Sequence, residues 1–263
     1  MQSRQAARRD SGFTLLEMVT ALAVAGALAA MIGIVVARAL QSSRETQTQE
    51  QARQVYSAIV GDPARGSFGY LGDMGRLPAT LSELVTIGAQ TAFHTTSHEG
   101  TIGYGWRGPY LTSPLTSTDL FTDAWGQALS YTNSGGTAGQ IISAGPDGTL
   151  SNADDISYPV QIPVNTTGKL LDTVTVNLIP QPSGLSVSVY SASNGDQGTA
   201  VTLTTAGAGA VPFSFTVPHG PSAIKITHTQ SGIVVTRTVT VQVAAGTQVV
   251  QTISMSTSAT VAM

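Results

Sequence analysis

The sequence contains no cysteine, which removes disulfide frameworks, thiolate metal sites and thiol nucleophiles from consideration. Charge is scarce as well. There are 12 basic and 15 acidic side chains among 263 residues, a net charge of −3. Nucleic-acid binders carry a basic footprint, so this balance argues against such a partner. No proline falls between Phe13 and Val60, and one long helix is therefore allowed there. What is plentiful is apolar residues together with Gly, Ser and Thr, a mix that suits an extracytoplasmic β-rich protein more than a cytosolic enzyme. The length has room for more than one domain, at about 100–200 residues each.

The N-terminus carries the most information. Met1 to Gly12 is short and polar, with Arg4, Arg8 and Arg9 against Asp10. An apolar run begins at Phe13, and Met18 to Ala37 is 20 residues without a charge or a proline. About 20 such residues cross a bilayer as a helix. The leading arginines hold the N-terminus on the cytoplasmic side and send the rest outward. A secretory signal peptide has an apolar core of only about 7–15 residues, with its cleavage site after that core. Here the run is longer, and the only obvious processing signal, Ser11-Gly12, precedes it. Hydropathy alone leaves a plain signal anchor open. Glu17 separates the readings, because an ionisable group in an apolar helix is costly and points to a function and a partner.

The segment Gly12-Phe13-Thr14-Leu15-Leu16-Glu17 resembles the type IV prepilin signal. The resemblance implies cleavage after Gly12 by prepilin peptidase, N-methylation of Phe13, and Glu17 as the fifth residue of the mature chain. Its implied partner is the freed Phe13 amine of a neighbouring subunit. Asp10 and Ser11 depart from the family, which often has a basic residue beside the glycine. Removal of residues 1–12 leaves 9 basic and 14 acidic residues, an acidic body on a neutral stalk.

The helix is expected over residues 13–62, its membrane part about 13–38. Gln41 to Val60 is rich in tolerable or good helix formers, Val55 and Ile59 make a narrow apolar stripe, and Gly61-Asp62-Pro63 ends it. Gly26 and Gly33 read as close-packing or melting points. Thr80 and Glu83 have capping-box spacing, predicting a short helix from there. Residues 86–105 read as loop, and short strands are expected around Tyr110, Leu129 to Tyr131 and Gln140 to Ser143.

A second resemblance covers about residues 8–158. Gly108-Pro109-Tyr110-Leu111, Asp123-Ala124-Trp125-Gly126, Ser143-Ala144-Gly145-Pro146-Asp147-Gly148 and Asp154-Asp155-Ile156 are similar in order and spacing to the major pseudopilin of type II secretion systems. Ala124 stands where that family usually has proline. The resemblance implies an α+β fold for residues 63–158, a long helix on a small antiparallel sheet closed by a calcium loop. Its implied ligands are the carboxylates of Asp147, Asp154 and Asp155 with the Ala144 carbonyl, and one near Ser151 or Asn152. Such oxygens suit calcium, although the EF-hand pattern is missing and a solvated acidic turn is the plainer alternative.

From Val160 the composition turns to Val, Thr, Ser and Gly with period-two alternation. Strands are expected at Val174 to Leu178, Leu185 to Val189, Val201 to Leu203, Phe213 to Val217, Ile224 to Ile226, Val239 to Val243 and Val249 to Met255. With turn clusters between them, they predict a β-sandwich over 169–263, similar to immunoglobulin-like or transthyretin-like modules. Ser157 to Gly168 reads as the linker.

Other motifs carry less. Gly103-Tyr104-Gly105-Trp106-Arg107-Gly108 fits G-x-G-x-x-G by letter, but Pro109 follows where a dinucleotide site needs a helix. His94 and His98 stand four apart, a spacing that could hold zinc on a helix; the surrounding loop composition and the want of a further ligand favour a polar surface loop. His219 falls in a turn and His228 on a strand. No catalytic constellation is evident. The expected protein is thus a structural subunit spanning the inner membrane once. Its body lies in the periplasm, or outside the cell if assembled into a pilus. Its implied partners are further copies of itself, other pseudopilins, a secretion platform protein and an ATPase. The alternatives are a minor pilin whose sandwich binds a surface, DNA or another pilin, and a membrane-tethered binding module that never polymerises.

Overall fold

The computed structural model describes residues 14–62, 65–96, 98–112, 119–133, 139–160, 167–177, 183–205, 209–230, 232–244 and 246–256. The leader, Phe13 and residues 161–166 of the expected linker lie outside them. The chain divides into two compact units, residues 1–46 and 47–263.

The first unit is the outer part of α1 (Leu15–Val60). Thr14 Oγ1 accepts the Glu17 backbone N–H at 3.2 Å, an N-cap of the usual kind. From Thr14 to Arg44 every residue is exposed, including Leu22, Leu28, Ile32 and Val35. Gly26 and Gly33 have nothing within 4 Å of where a Cβ would stand.

In the second unit α1 becomes amphipathic. Thr48, Ala52, Val55 and Ile59 are fully buried, spaced to share one face of the helix. Gly61 ends α1 at φ +74, its N–H donating to the Ser57 carbonyl at 2.7 Å, a left-handed residue of the type that closes helices. The buried stripe packs with α2 (Gly69–Met74), through Tyr70 and Met74, and with Leu81, Leu84, Leu129 and Ile141. Leu129 and Ile141 come from the small antiparallel sheet and its approach, built from β1 (Ser130–Tyr131), β2 (Ile141–Ser143) and β3 (Ile156–Tyr158) in that order. A long helix on a small antiparallel sheet is the pilin-like arrangement expected.

The capping box expected at Thr80 does not form, since Glu83 bonds the N–H of Ala79 and not that of Thr80. Leu81–Leu84 is a single 3-10 turn, and Thr80 Oγ1 lies 2.7 Å from Ser82 Oγ instead of capping. Glu83 does reach back to the Ala79 N–H at 3.1 Å. Its carboxylate also accepts from Tyr70 Oη and from Arg76 at 3.0 Å, and these pulls tie the turn to α2. Burial alone would raise the Glu83 pKa, but the hydrogen bonds from Tyr70, Ala79 and Arg76 leave it lowered. Tyr110 does not sit in a strand; its hydroxyl donates to Asp73 at 3.0 Å.

The rest is a sandwich of two sheets. One holds β10 (Ile233–Val243), β9 (Gly220–Gln230) and β5 (Ser183–Ser193), with β6 (Asp196–Gln197) and β7 (Val201–Thr205) both on β5. The other holds β4 (Thr167–Asn177) between β8 (Gly209–Pro218) and the two-part last strand, β11 (Gln248–Val250) and β12 (Ile253–Ser256), which runs parallel to β4. First and second strands thus fall in opposite sheets, whereas in the immunoglobulin order they share one. Leu185, Val187 and Val189 alternate inward against Phe213, Phe215 and Val217, with Ile224, Ile226, Val241, Val243 and Ile253 completing the core. Each such side chain, fully buried, contributes about 1.5–3 kcal/mol.

Sandwich and pilin-like body share one compact unit. Their seam is made by backbone approach at glycines. A Cβ on Gly75 (φ +68) would stand 2.2 Å from the Ala192 carbonyl, and one on Gly220 (φ +123) 2.8 Å from Gly72 Cα. Across the seam the Gly195 N–H donates to the Met74 carbonyl at 2.9 Å, and Tyr104 Oη donates to the Pro221 carbonyl at 3.1 Å. Lys225 Nζ pairs with Glu99 Oε1 at 2.6 Å, and Ile102, Tyr104, Ala192 and Ala223 form a small apolar core there.

Candidate assembly helix and calcium loop

Glu17 sits in the first turn of α1, where the positive end of the helix dipole favours an acid. It is exposed and has no ion-pair partner among the described residues. The first base along the helix is Arg38, and 1.5 Å per residue puts it roughly 30 Å away along the axis. A cation for Glu17 inside a bilayer must therefore come from the mature N-terminus or from another molecule. Gly12 and Phe13, the expected processing residues, lie outside the described residues. Among the described residues α1 is the one helix long and apolar enough to span a membrane, and none of its spanning window is buried within the chain.

The expected calcium loop runs from β2 to β3. Ala144 is buried and leads into the turn Gly145–Asp147, followed by Gly148 at φ +71. Gly145 is required at its position. A Cβ there would lie 2.5 Å from the Asp154 carbonyl, so the two arms of the loop touch backbone to backbone. Asp147 accepts the Thr149 N–H at 2.8 Å and the Asn152 side-chain amide at 2.7 Å. One Asp155 oxygen accepts the Ser151 N–H at 2.7 Å, while its other, Oδ1, is buried without a hydrogen-bond partner. The Asp147, Asp154 and Asp155 carboxylates do not gather within 4.8 Å of one another, and the orphaned Asp155 oxygen is the feature of the loop that a hard cation would satisfy.

Beneath the loop lies a hub built from two of the motifs that carry the second resemblance. Asp123 is buried, its Oδ1 accepting the Trp125 and Gln127 N–H groups at 2.9 and 2.8 Å. Its Oδ2 accepts from Ser143 Oγ, which in turn accepts the Gly145 N–H at 3.1 Å. Ala124 donates its N–H to Thr48 Oγ1 on α1 at 3.1 Å. This chain of bonds ties the loop to the helix, a structural use for the Asp123-Ala124-Trp125-Gly126 and Ser143 motifs. The G-x-G-x-x-G letters span a loop packed on Phe93 and Ala92, with no following helix.

A family model described as the prokaryotic N-terminal methylation motif matches residues 7–33. The match supports a type IV pilin-like protein, made as a prepilin and held in the membrane by one N-terminal helix. Processing by prepilin peptidase and assembly into a filament go with that motif. No curated protein matches the chain.

Proposed function

We propose that the protein is a structural filament subunit of the pseudopilus type, cut between Gly12 and Phe13, methylated at Phe13 and assembled through α1. The observation that carries this reading is Glu17. It is an acid at the mouth of a bare apolar helix, whose first basic side chain, Arg38, stands about 30 Å further along the axis. The Phe13 amine of a neighbouring copy supplies the missing charge, so pairing favours packing of one α1 on the next. The body lies in the periplasm, and platform protein, ATPase and other pseudopilins add subunits in the service of protein secretion.

Calcium, held by Asp147, Asp154, Asp155 and the Ala144 carbonyl, stabilises the loop between β2 and β3. It has no chemical step to perform. The orphaned Asp155 oxygen supports this assignment. A second reading, a minor pilin that displays a binding module, is favoured by the docked sandwich, which the pseudopilin resemblance does not cover.

Glu17→Ala tests the proposal. The variant is expected to be processed and membrane-bound but lost from sheared filaments. Unchanged incorporation would refute the Glu17 pairing, and a wild-type chain that never leaves the monomeric state would favour the simple tether.

A further inference from the structure

The seam between body and sandwich gathers three side chains able to hold a metal. His94 and His98 lie in the 92–105 segment of the body, and Asp196 opens β6 of the sandwich. Among the described residues this is the one group of three such side chains whose ligand atoms all lie within 4.8 Å of one another. Asn194 and Gly195, at φ +51 and +79, make the two-residue turn between β5 and β6. Asn-Gly is the preferred pair for such a turn, and it delivers Asp196 to the two rings.

The ring nitrogens define what the cluster needs. His98 Nδ1 lies 2.8 Å from the Ile102 carbonyl oxygen, and His94 Nδ1 lies 3.1 Å from that of Ala92. A carbonyl only accepts, so each Nδ1 carries a hydrogen and each neutral ring keeps a lone pair on Nε2. Both Nε2 atoms face the same oxygen, Asp196 Oδ1, at 2.9 Å from His98 and 3.5 Å from His94. Lone pairs so placed repel unless positive charge stands among them. A proton on His98 alone would leave the His94 lone pair against the carboxylate, and protons on both rings would create two imidazolium rings with centroids 4.7 Å apart. One divalent cation supplies the charge without that like-charge pair.

We propose that His94, His98 and Asp196 form a zinc site that clamps the sandwich to the pilin-like body. Zinc bonds of about 2.0–2.1 Å put tetrahedral neighbours about 3.3 Å apart, a value bracketed by the two Nε2–Oδ1 distances. Each histidine already makes the outer hydrogen bond that orients metal-bound imidazoles. The His98 side chain is 3% exposed and that of Asp196 61%, so the cluster has a dry floor and an open side where water completes the shell. The clamp is independent of the filament reading.

The test uses tag-free full-length protein in detergent, stripped with chelator and titrated with zinc alone. One zinc per chain is expected, and cobalt in its place should show the visible absorption of a four-coordinate site. Asp196→Asn and His94→Gln, both at the surface, should each weaken zinc at least about tenfold, while Glu50→Gln, on the exposed face of α1, should bind as the wild type does. Zinc at 100 times the wild-type Kd should raise the folded-to-unfolded ratio of the wild type about 100-fold and that of each site variant about 11-fold or less. No stoichiometric zinc, or equal affinity in the wild type and both site variants, overturns the proposal.

Discussion

Replacing Asp155 with asparagine alters one charge at the point where a bound calcium would matter most. The substitution keeps the shape and the acceptor for the Ser151 N–H, and it neutralises the buried Oδ1 that has no partner. Without metal, an unsatisfied buried group costs about 1–3 kcal/mol, more when charged. The variant in chelator should therefore be as stable as the wild type or slightly more so. With calcium the order reverses. For the affinities of extracellular modules, about 10⁻⁴–10⁻³ M, 10 mM calcium adds about 1.4–2.7 kcal/mol through binding to the native state. At about 2–4 °C per kcal/mol for a unit of this size, the wild-type melting temperature should rise by about 3–11 °C and the variant's by little. Thermal melts of both proteins in chelator and in calcium decide the matter. A wild type that ignores calcium, or a variant that responds equally, refutes the loop assignment.

His228 is fully buried with neither ring nitrogen bonded among the described residues, so His228→Leu should stabilise the fold by about 1–3 kcal/mol at pH 7. Burial lowers the pKa of His228, and of His219 too, from 6.5. The unfolded chain then takes protons first, and stability present above pH 6.5 drains away as pH falls below it. The leucine variant should show a shallower loss in denaturation curves run from pH 7 to 5; a constant gap across that range would contradict the assignment. Gly75→Ala places a side chain at φ +68 against the Ala192 carbonyl. It should cost at least about 1–2 kcal/mol and lower the melting of body and sandwich together, in one transition. A sandwich that melts unchanged would show that the seam is not integral to the unit.

The long helix was legible because its signal is local. An apolar run, a missing proline and the Val55/Ile59 stripe each act within a few turns, and Gly61 stops α1 where expected. The sandwich was legible from alternation, since Leu185, Val187 and Val189 declare an inner face without reference to anything distant. α2 was not. Gly69-Tyr70-Leu71-Gly72-Asp73-Met74 is buried on every side, so it has no amphipathic pattern, and two glycines argue against a helix. The seam was hidden for a related reason. Gly195 and Gly220 fall in turn clusters and Gly75 in no motif, and only the fold reveals that these glycines admit a second backbone. The sequence placed His94 and His98 together but could not supply Asp196, 98 residues beyond His98, because a turn on another module delivers it. Asp123 was named in a motif, but its role was not legible because a buried acid that caps a loop looks, in sequence, like any turn aspartate.

Intact-mass analysis of the protein extracted from its native membrane tests the central claim most directly. The account predicts a chain that starts at Phe13 and carries one added methyl group. A chain that retains Met1 to Gly12, or one cut after the apolar run, would leave Glu17 without its amine and contradict the filament assignment.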